Sequence, residues 1–179
     1  MKYFKKLIGD LVYLSPLNIE DASKYVEWLC DEDVAKYVNN YTNNINLLGE
    51  VEWVKNSCAK NEPNFAIVNK ENDNLIGNIG LMNINNVNRV AELGVFIGDK
   101  NFHGKGYGSD AIKLLLNYGF NYLNLNNITL EVLSFNERAI RAYKKCGFKE
   151  FGRLEESVYY NGKYYDTIYM NILKRHFNK

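Results

Sequence analysis

The sequence predicts an α/β fold of the α+β type, with a mixed, mostly antiparallel central sheet flanked by helices. Three observations carry this. First, runs of alternating polarity and runs of helical spacing follow one another as strand, helices, antiparallel meander, strand–helix–strand–helix and hairpin. A doubly wound parallel sheet would alternate strictly instead. Second, the glycine-rich stretch His103–Gly108 stands between the last meander strand and a long helical pattern. Third, Asn161-Gly162 separates two Tyr-rich runs, the strongest short hairpin signal.

Each element has its own reason. Leu11–Leu14 reads as a first strand stopped by Ser15-Pro16. Asn18 caps a helix whose apolar positions are Ala22, Tyr25, Val26 and Leu29. The Tyr- and Asn-rich segment Val34–Ile45 reads as irregular, and Leu47, Val51, Val54 and Cys58 mark another helix face. Asn64–Val68 and Leu75–Met82 are strands around a turn at Glu71–Asn74, since Asn and Asp tolerate left-handed backbone. Arg89–Ile97 is the third meander strand. Ser109–Leu123 is a helix with Ala111, Leu114, Leu115 and Tyr118 on one face. Asn127–Leu133 alternates as a strand, and Asn136 caps a short helix that stops at Gly147. Val158–Tyr160 and Lys163–Leu173 form the closing hairpin.

At 179 residues the chain fits one domain spanning 1–179 and can bury a core without staples. The 46% hydrophobic and 24% charged composition excludes disorder and low-complexity architectures. A net charge of +1 argues against a nucleic-acid partner, which would call for a basic stripe. Cys30, Cys58 and Cys146 are scattered, and His103 and His176 lie far apart, so no metal site is expected. Scattered thiols fit a reducing compartment, and a cytoplasmic location is expected. All three read as packed cysteines. Lys2, Lys5 and Lys6 precede no apolar run of signal-peptide length, and no membrane span is expected. The sequons at Asn40 and Asn127 read as chance matches in an Asn-rich chain.

His103-Gly104-Lys105-Gly106-Tyr107-Gly108, followed by Ser109, leaves a strand and enters a helix. Glycines at every second position let backbone N–H groups turn inward and a ligand approach closely. The helix start adds free N–H groups and the positive end of its dipole, so the segment suits a phosphate or pyrophosphate. No Lys-Ser/Thr pair follows the last glycine, which excludes a P-loop. The G-x-G-x-G spacing and the strands that come first exclude a dinucleotide fingerprint.

Glu92–Ile97 with His103–Gly108 resembles the acyl-CoA motif of the GNAT superfamily of N-acetyltransferases, Gly106 and Gly108 matching its fixed glycines. His103 stands where that family usually has Gln or Arg. Ile128–Val132 through Asn136, Ala139, Tyr143 and Gly147-Phe148 resembles the family's second block, N-x-x-A-x-x-x-Y-x-x-x-G-F. Trp28, Val34 and Tyr37, with Gly162–Asp166, Tyr169 and Met170, resemble the branch that acetylates ribosomal-protein N-termini and, similarly, the spermidine/spermine branch.

The resemblance implies a GNAT-like sheet whose splayed strands form the acyl-CoA cleft. It implies acetyl-CoA as donor and a primary amine that attacks the thioester directly in a ternary complex. Glu92 is then the candidate base and Tyr143 the candidate acid for the leaving thiolate. Backbone groups near Phe96 and Ile97 would hold pantetheine and the oxyanion. Residues 103–109 would take the phosphates, with Lys105, Lys144 or Lys145 nearby. Asn136 and the small Ala139 would border the pantetheine arm.

For the acceptor, a peptide N-terminal amine is the leading expectation. An α-amine titrates near ~7.7–8.0, against ~10.4 for a lysine-type amine, and so asks less of one base. A polyamine is the alternative, for which Asp31-Glu32-Asp33 and Glu155-Glu156 are the candidate acidic clusters. The tyrosines at 159, 160, 164 and 165 either wall a groove or pack across the hairpin. A non-catalytic acyl-CoA-binding module is the alternative of another class. The chain is compatible with a homo-oligomer.

Overall fold

Short runs of β-branched and aromatic residues set the strands of the structure, a computed structural model describing residues 2–38 and 43–177. In chain order the elements are β1 (Leu7–Ile8), β2 (Val12–Pro16), α1 (Ala22–Leu29), α2 (Glu32–Ala35), α3 (Leu47–Ala59), β3 (Asn64–Asn69), β4 (Leu75–Asn85) and β5 (Val90–Ile97). There follow α4 (Tyr107–Asn121), β6 (Asn127–Leu133), α5 (Glu137–Lys145), β7 (Lys149–Tyr160), β8 (Lys163–Leu173) and α6 (Lys174–Phe177). The strand order is β1-β2-β3-β4-β5-β6-β8-β7. The sheet is mixed and mostly antiparallel, as the sequence predicts, with β5 and β6 as the parallel pair.

The chain forms two compact units, Met1–Gly80 with Val95–Leu114, and Leu81–Gly94 with Leu115–Lys179. In the first, Tyr25, Trp28, Val34, Val54 and Phe96 make one cluster, and Tyr3, Tyr13, Ala66 and Val68 another. Trp28 packs edge-on against Phe96 with ring centroids 6.0 Å apart. Gly77 lies where a Cβ would be 1.9 Å from the Phe96 carbonyl oxygen, so only glycine lets the end of β5 come so close. The Tyr13 hydroxyl, donating to Asp73 Oδ1 at 2.8 Å, is pushed up to about 12 by burial first and then by that bond.

In the second unit, the buried chains of Leu81, Leu116, Phe120, Leu125, Ile128, Leu130 and Met170 form the core. Gly119 lets Ile128 and Leu81 approach α4, since a Cβ there would lie 2.9 and 3.2 Å from their Cδ1 atoms. Asn161 and Gly162 adopt φ 48° and 79° between the paired Tyr160 and Lys163, the tight hairpin the sequence announces. Asn136 Oδ1 accepts the Ala139 N–H at 3.2 Å and Gly147 takes φ 96°, so α5 begins and ends as expected.

Several elements differ from the sequence reading. Two-residue β1 precedes β2, too short to leave a pattern. The first strand runs through Ser15 and ends at Pro16, opposite Phe65, two residues later than the sequence reading places it. Asn18 caps a 3-10 turn, Ile19–Asp21, that leads into α1, whose buried positions are Ala22, Tyr25 and Trp28. Val34 belongs to α2, capped by Asp31, rather than to an irregular stretch. Asn40 lies outside the described residues. α3 buries Val54 and Ser57 and leaves Leu47 and Cys58 exposed. Cys30 is exposed too, so of the three thiols only Cys146 is packed. α4 starts at Tyr107, and its buried face is Ala111, Ile112, Leu115, Leu116 and Phe120. β7 starts at Lys149, far ahead of Val158, because its exposed polar residues carry no alternation.

Replacing Gly77 by Ala is expected to destabilise the fold by about 1–3 kcal/mol, since backbone rather than a movable side chain meets the new methyl. Urea denaturation checks this, and a midpoint equal to the parent's would refute it.

Candidate active site

In the first unit, the phosphate-type loop is built from β5 outward. Phe96 sends its ring into the core, leaving its backbone as the chemically useful part. The Gly98 and Asp99 N–H groups both donate to Ile76 O, at 2.9 and 3.3 Å, and end the strand. Asp99 caps the 3-10 turn Lys100–Phe102 through the Asn101 N–H, at 2.9 Å. The chain then reaches His103, whose Nε2–H donates to Ile97 O at 2.7 Å. The ring thereby braces the loop against β5.

Gly104 and Gly106 have φ 73° and 94°, where side chains are strained. Gly108 is different: a Cβ there would meet only Ile97, at ordinary contact distance. Packing within the chain does not demand this glycine, whereas a ligand lying against the backbone would. Lys105 is exposed, and the Phe102 and Tyr107 rings flank the loop in an edge-on pair 4.9 Å apart. α4 begins at Tyr107, so Tyr107, Gly108 and Ser109 form its first turn, with N–H groups no earlier helical carbonyl can satisfy.

The second unit holds Glu92, Asn136, Ala139 and Tyr143. β5 and β6 share three parallel register pairs, Val90↔Asn127 to Glu92↔Thr129. Glu92 therefore stands where that ladder ends. Its Oε2 accepts from Asn83 Nδ2 at 2.9 Å. Asn83 lies inside β4 yet has φ 52°, a left-handed kink that asparagine tolerates. Glu131 is on the same sheet face, two residues beyond Thr129. Burial, and after it the charge of Glu92, push its carboxyl above the usual range. Asn83 and Glu131 are the residues sequence reasoning missed. Alternation of Ile128, Leu130 and Val132 does place Glu131 on the face opposite the core, but only the register puts it beside Glu92.

Tyr143 is buried on α5, edge-on to Phe148 at 5.9 Å. Burial, then the neighbouring Cys146, raise its hydroxyl well above a free phenol, so it keeps its proton at neutral pH. Two carboxylates of the first predicted acidic cluster are ion-paired. Lys100 Nζ pairs with Asp31 at 2.7 Å, and Lys36 Nζ with Asp33 at 2.8 Å. The Glu156 N–H donates to Asp166 Oδ1 at 3.0 Å. Tyr159 packs across the hairpin on Tyr164, at 5.0 Å, whereas Tyr160 and Tyr165 pack on Phe135, which precedes α5, at 5.8 and 4.7 Å. Among the described residues no group of three or more His, Cys, Asp or Glu could hold a metal ion. No helix among them is long and apolar enough to cross a membrane.

In the first unit the glycine loop between β5 and α4 suits an anionic ligand, and the second unit holds Glu92 and Tyr143. Residues 12–149 match the family model described as an acetyltransferase (GNAT) domain, and the chain belongs to that family. It is an N-acetyltransferase, and GNAT enzymes use acetyl-CoA. Spermidine N(1)-acetyltransferase of Vibrio cholerae is 33% identical over 151 residues, covering 78% of this chain and 87% of that one. The "Putative ribosomal N-acetyltransferase YdaF" of Bacillus subtilis is 38% identical over 101 residues, 56% of this chain and 55% of that one. The crystal structure of the V. cholerae spermidine N-acetyltransferase with CoA and spermine superposes with a TM-score of 0.82 at 29% identity, covering 94% of this chain and 99% of that one.

Ionising Glu131 opposes folding, because its carboxyl is harder to ionise in the folded chain. That penalty is absent below about pH 4, where both states are protonated, and is full above the raised folded value. Glu131→Gln is therefore expected to raise Tm at pH 7, leave it nearly unchanged below about pH 4, and lower turnover. Thermal unfolding at the two pH values checks it, and a lower Tm at pH 7 would count against it.

Proposed function

We propose that the protein acetylates a polyamine of the spermidine type. The observation that carries this is the carboxylate couple, Glu92 beside Glu131, on one face of β5 and β6. Two adjacent carboxylates repel each other and are relieved by an ammonium group, which a polyamine supplies more than once. The spermidine-acetylating relatives support the same reading. A peptide N-terminal amine is the second reading, supported by the B. subtilis relative and by the lower pKa of an α-amine.

In the reaction, the backbone N–H groups of residues 104–108 and the first turn of α4 take the phosphates of acetyl-CoA. The β5 backbone at Phe96 and Ile97 holds the pantetheine arm and the developing oxyanion. The carboxylate couple accepts a proton from the amine, whose nitrogen then attacks the thioester carbon. As the carbon–sulfur bond breaks, Tyr143 gives its proton to the thiolate and regains one from the acetylated nitrogen, which leaves as a neutral amide. Asn136 and Ala139 form the α5 start, a capped first turn with one small side chain. Residues 1–179 act in this as one acetyltransferase domain, in the cytoplasm.

The test is a panel of spermidine, Ser-, Ala- and Asp-starting peptides, an aminoglycoside and an amino sugar, read by free-thiol release. Spermidine is expected to exceed every peptide in kcat/KM by at least about tenfold. A peptide that leads by that margin installs the second reading. CoA binding without thiol release for any amine would make the chain a non-catalytic module.

Tyr143→Phe separates the acid role from packing. Turnover is expected to fall about 10²–10⁴-fold, with acetyl-CoA affinity nearly unchanged because the ring stays. Turnover equal to the parent's would show that water protonates the thiolate.

A further inference from the structure

The turn between β1 and β2 is tied to the first turn of α4 by one carboxylate. Asp110 Oδ2 accepts the N–H groups of Leu11 and Val12 at 2.8 and 3.0 Å. Gly9 makes room for it, since a Cβ there would lie 2.5 Å from the same oxygen. From the other side Lys70 Nζ donates to Gly9 O at 2.9 Å, and the Lys70 N–H to Leu11 O at 3.0 Å. The turn is thus gripped from two sides. What it delivers is Leu11, whose Cδ1 sits 3.5 Å from where a Cβ of Gly106 would be. Gly106 is the loop glycine at φ 94°, and its carbonyl accepts the Asp110 N–H at 2.9 Å to start the helix.

We propose that Asp110 is a positioning residue for the acyl-CoA loop. By pinning the β1–β2 turn, it seats Leu11 against Gly106 and holds the loop backbone in its binding shape. The bond pattern supplies a second reason. A carboxylate in the first turn of a phosphate-binding helix would otherwise compete for the amides there or repel the incoming phosphates. Here two N–H groups of the turn occupy it, so the charge acts as a tie. The inference rests on the reading that this loop takes acyl-CoA.

The experiment measures CoA binding by calorimetry and steady-state kinetics for the parent, Asp110→Ala, Asp110→Asn and Gly9→Ala. If loosening leaves about a tenth of the loop population competent, Asp110→Ala raises the CoA Kd about tenfold. KM for acetyl-CoA is expected to rise in step, while kcat and the amine KM stay within about twofold. Asp110→Asn keeps an oxygen acceptor for both N–H groups and is expected to restore binding to within about twofold of the parent. Gly9→Ala displaces the carboxylate without removing it, and should weaken CoA binding in the same direction.

A lower Tm with an unchanged CoA Kd in Asp110→Ala would make the tie merely structural and overturn the proposal. If Asp110→Ala does not fold, Gly9→Ala decides, and an unchanged Kd there overturns it equally. Failure of the parent itself to bind CoA would instead remove the acyl-CoA reading, and this inference with it.

Discussion

One close backbone approach fixes the end of β5 and the loop that follows it. Gly77 allows β4 to come against the Phe96 carbonyl, and Ile76 O then takes two N–H groups where β5 ends. Everything after that point inherits its position. Asp99 caps the next turn, the His103 ring returns to Ile97, and Gly104 and Gly106 turn the backbone toward α4. A methyl group at Gly77 would move the end of a strand, and with it the glycine loop many residues further along. The loop glycines turn the backbone, but the strand junction places them.

Within the second unit the titratable groups differ in their surroundings. Burial raises the Tyr143 hydroxyl further above neutrality, whereas Glu92 has a local donor in Asn83 and a carboxylate neighbour in Glu131. In the proposed reaction Tyr143 gives a proton, and the couple attracts a cation and receives one. This is the pattern expected where environments push titratable groups apart in role. Asp31 and Asp33 have their charge answered by Lys100 and Lys36 on the spot.

Much of this was legible in the sequence, and what was not has physical causes. β6 and α5 are readable because each carries a complete local signal, alternation in one and a cap at both ends in the other. The Asn161-Gly162 turn is equally local. The stripe on α4 was displaced by one position because Leu114 and Tyr118 mimic a buried face while Ile112, Leu116 and Phe120 fill it. Periodicity shows that a helix has an apolar side but not where its edge falls when the apolar arc is wide. β1 and most of β7 were invisible, one for its length and the other for its exposed polar residues. At the site, Glu92 and Tyr143 stand within motifs, whereas Glu131 and Asn83 gain their significance from strand register and a backbone kink. Neither is a property of a single segment.

The division into two units bears on how the molecule comes into being. Neither unit is a continuous stretch: the first needs residues 95–114 to be complete, and the second begins at Leu81, before those residues are made. β4 and β5 each start in one unit and end in the other. A growing chain can therefore finish the first unit only after it has started the second, and no single cut releases either one whole. The pairing of Val90 with Asn127 must likewise wait for the whole of α4. Non-local closures of this kind slow folding, because the intervening chain loses its freedom before the contact is made. Dissection into fragments is thus a poor way to study this molecule, and substitutions in the intact chain are the informative perturbation.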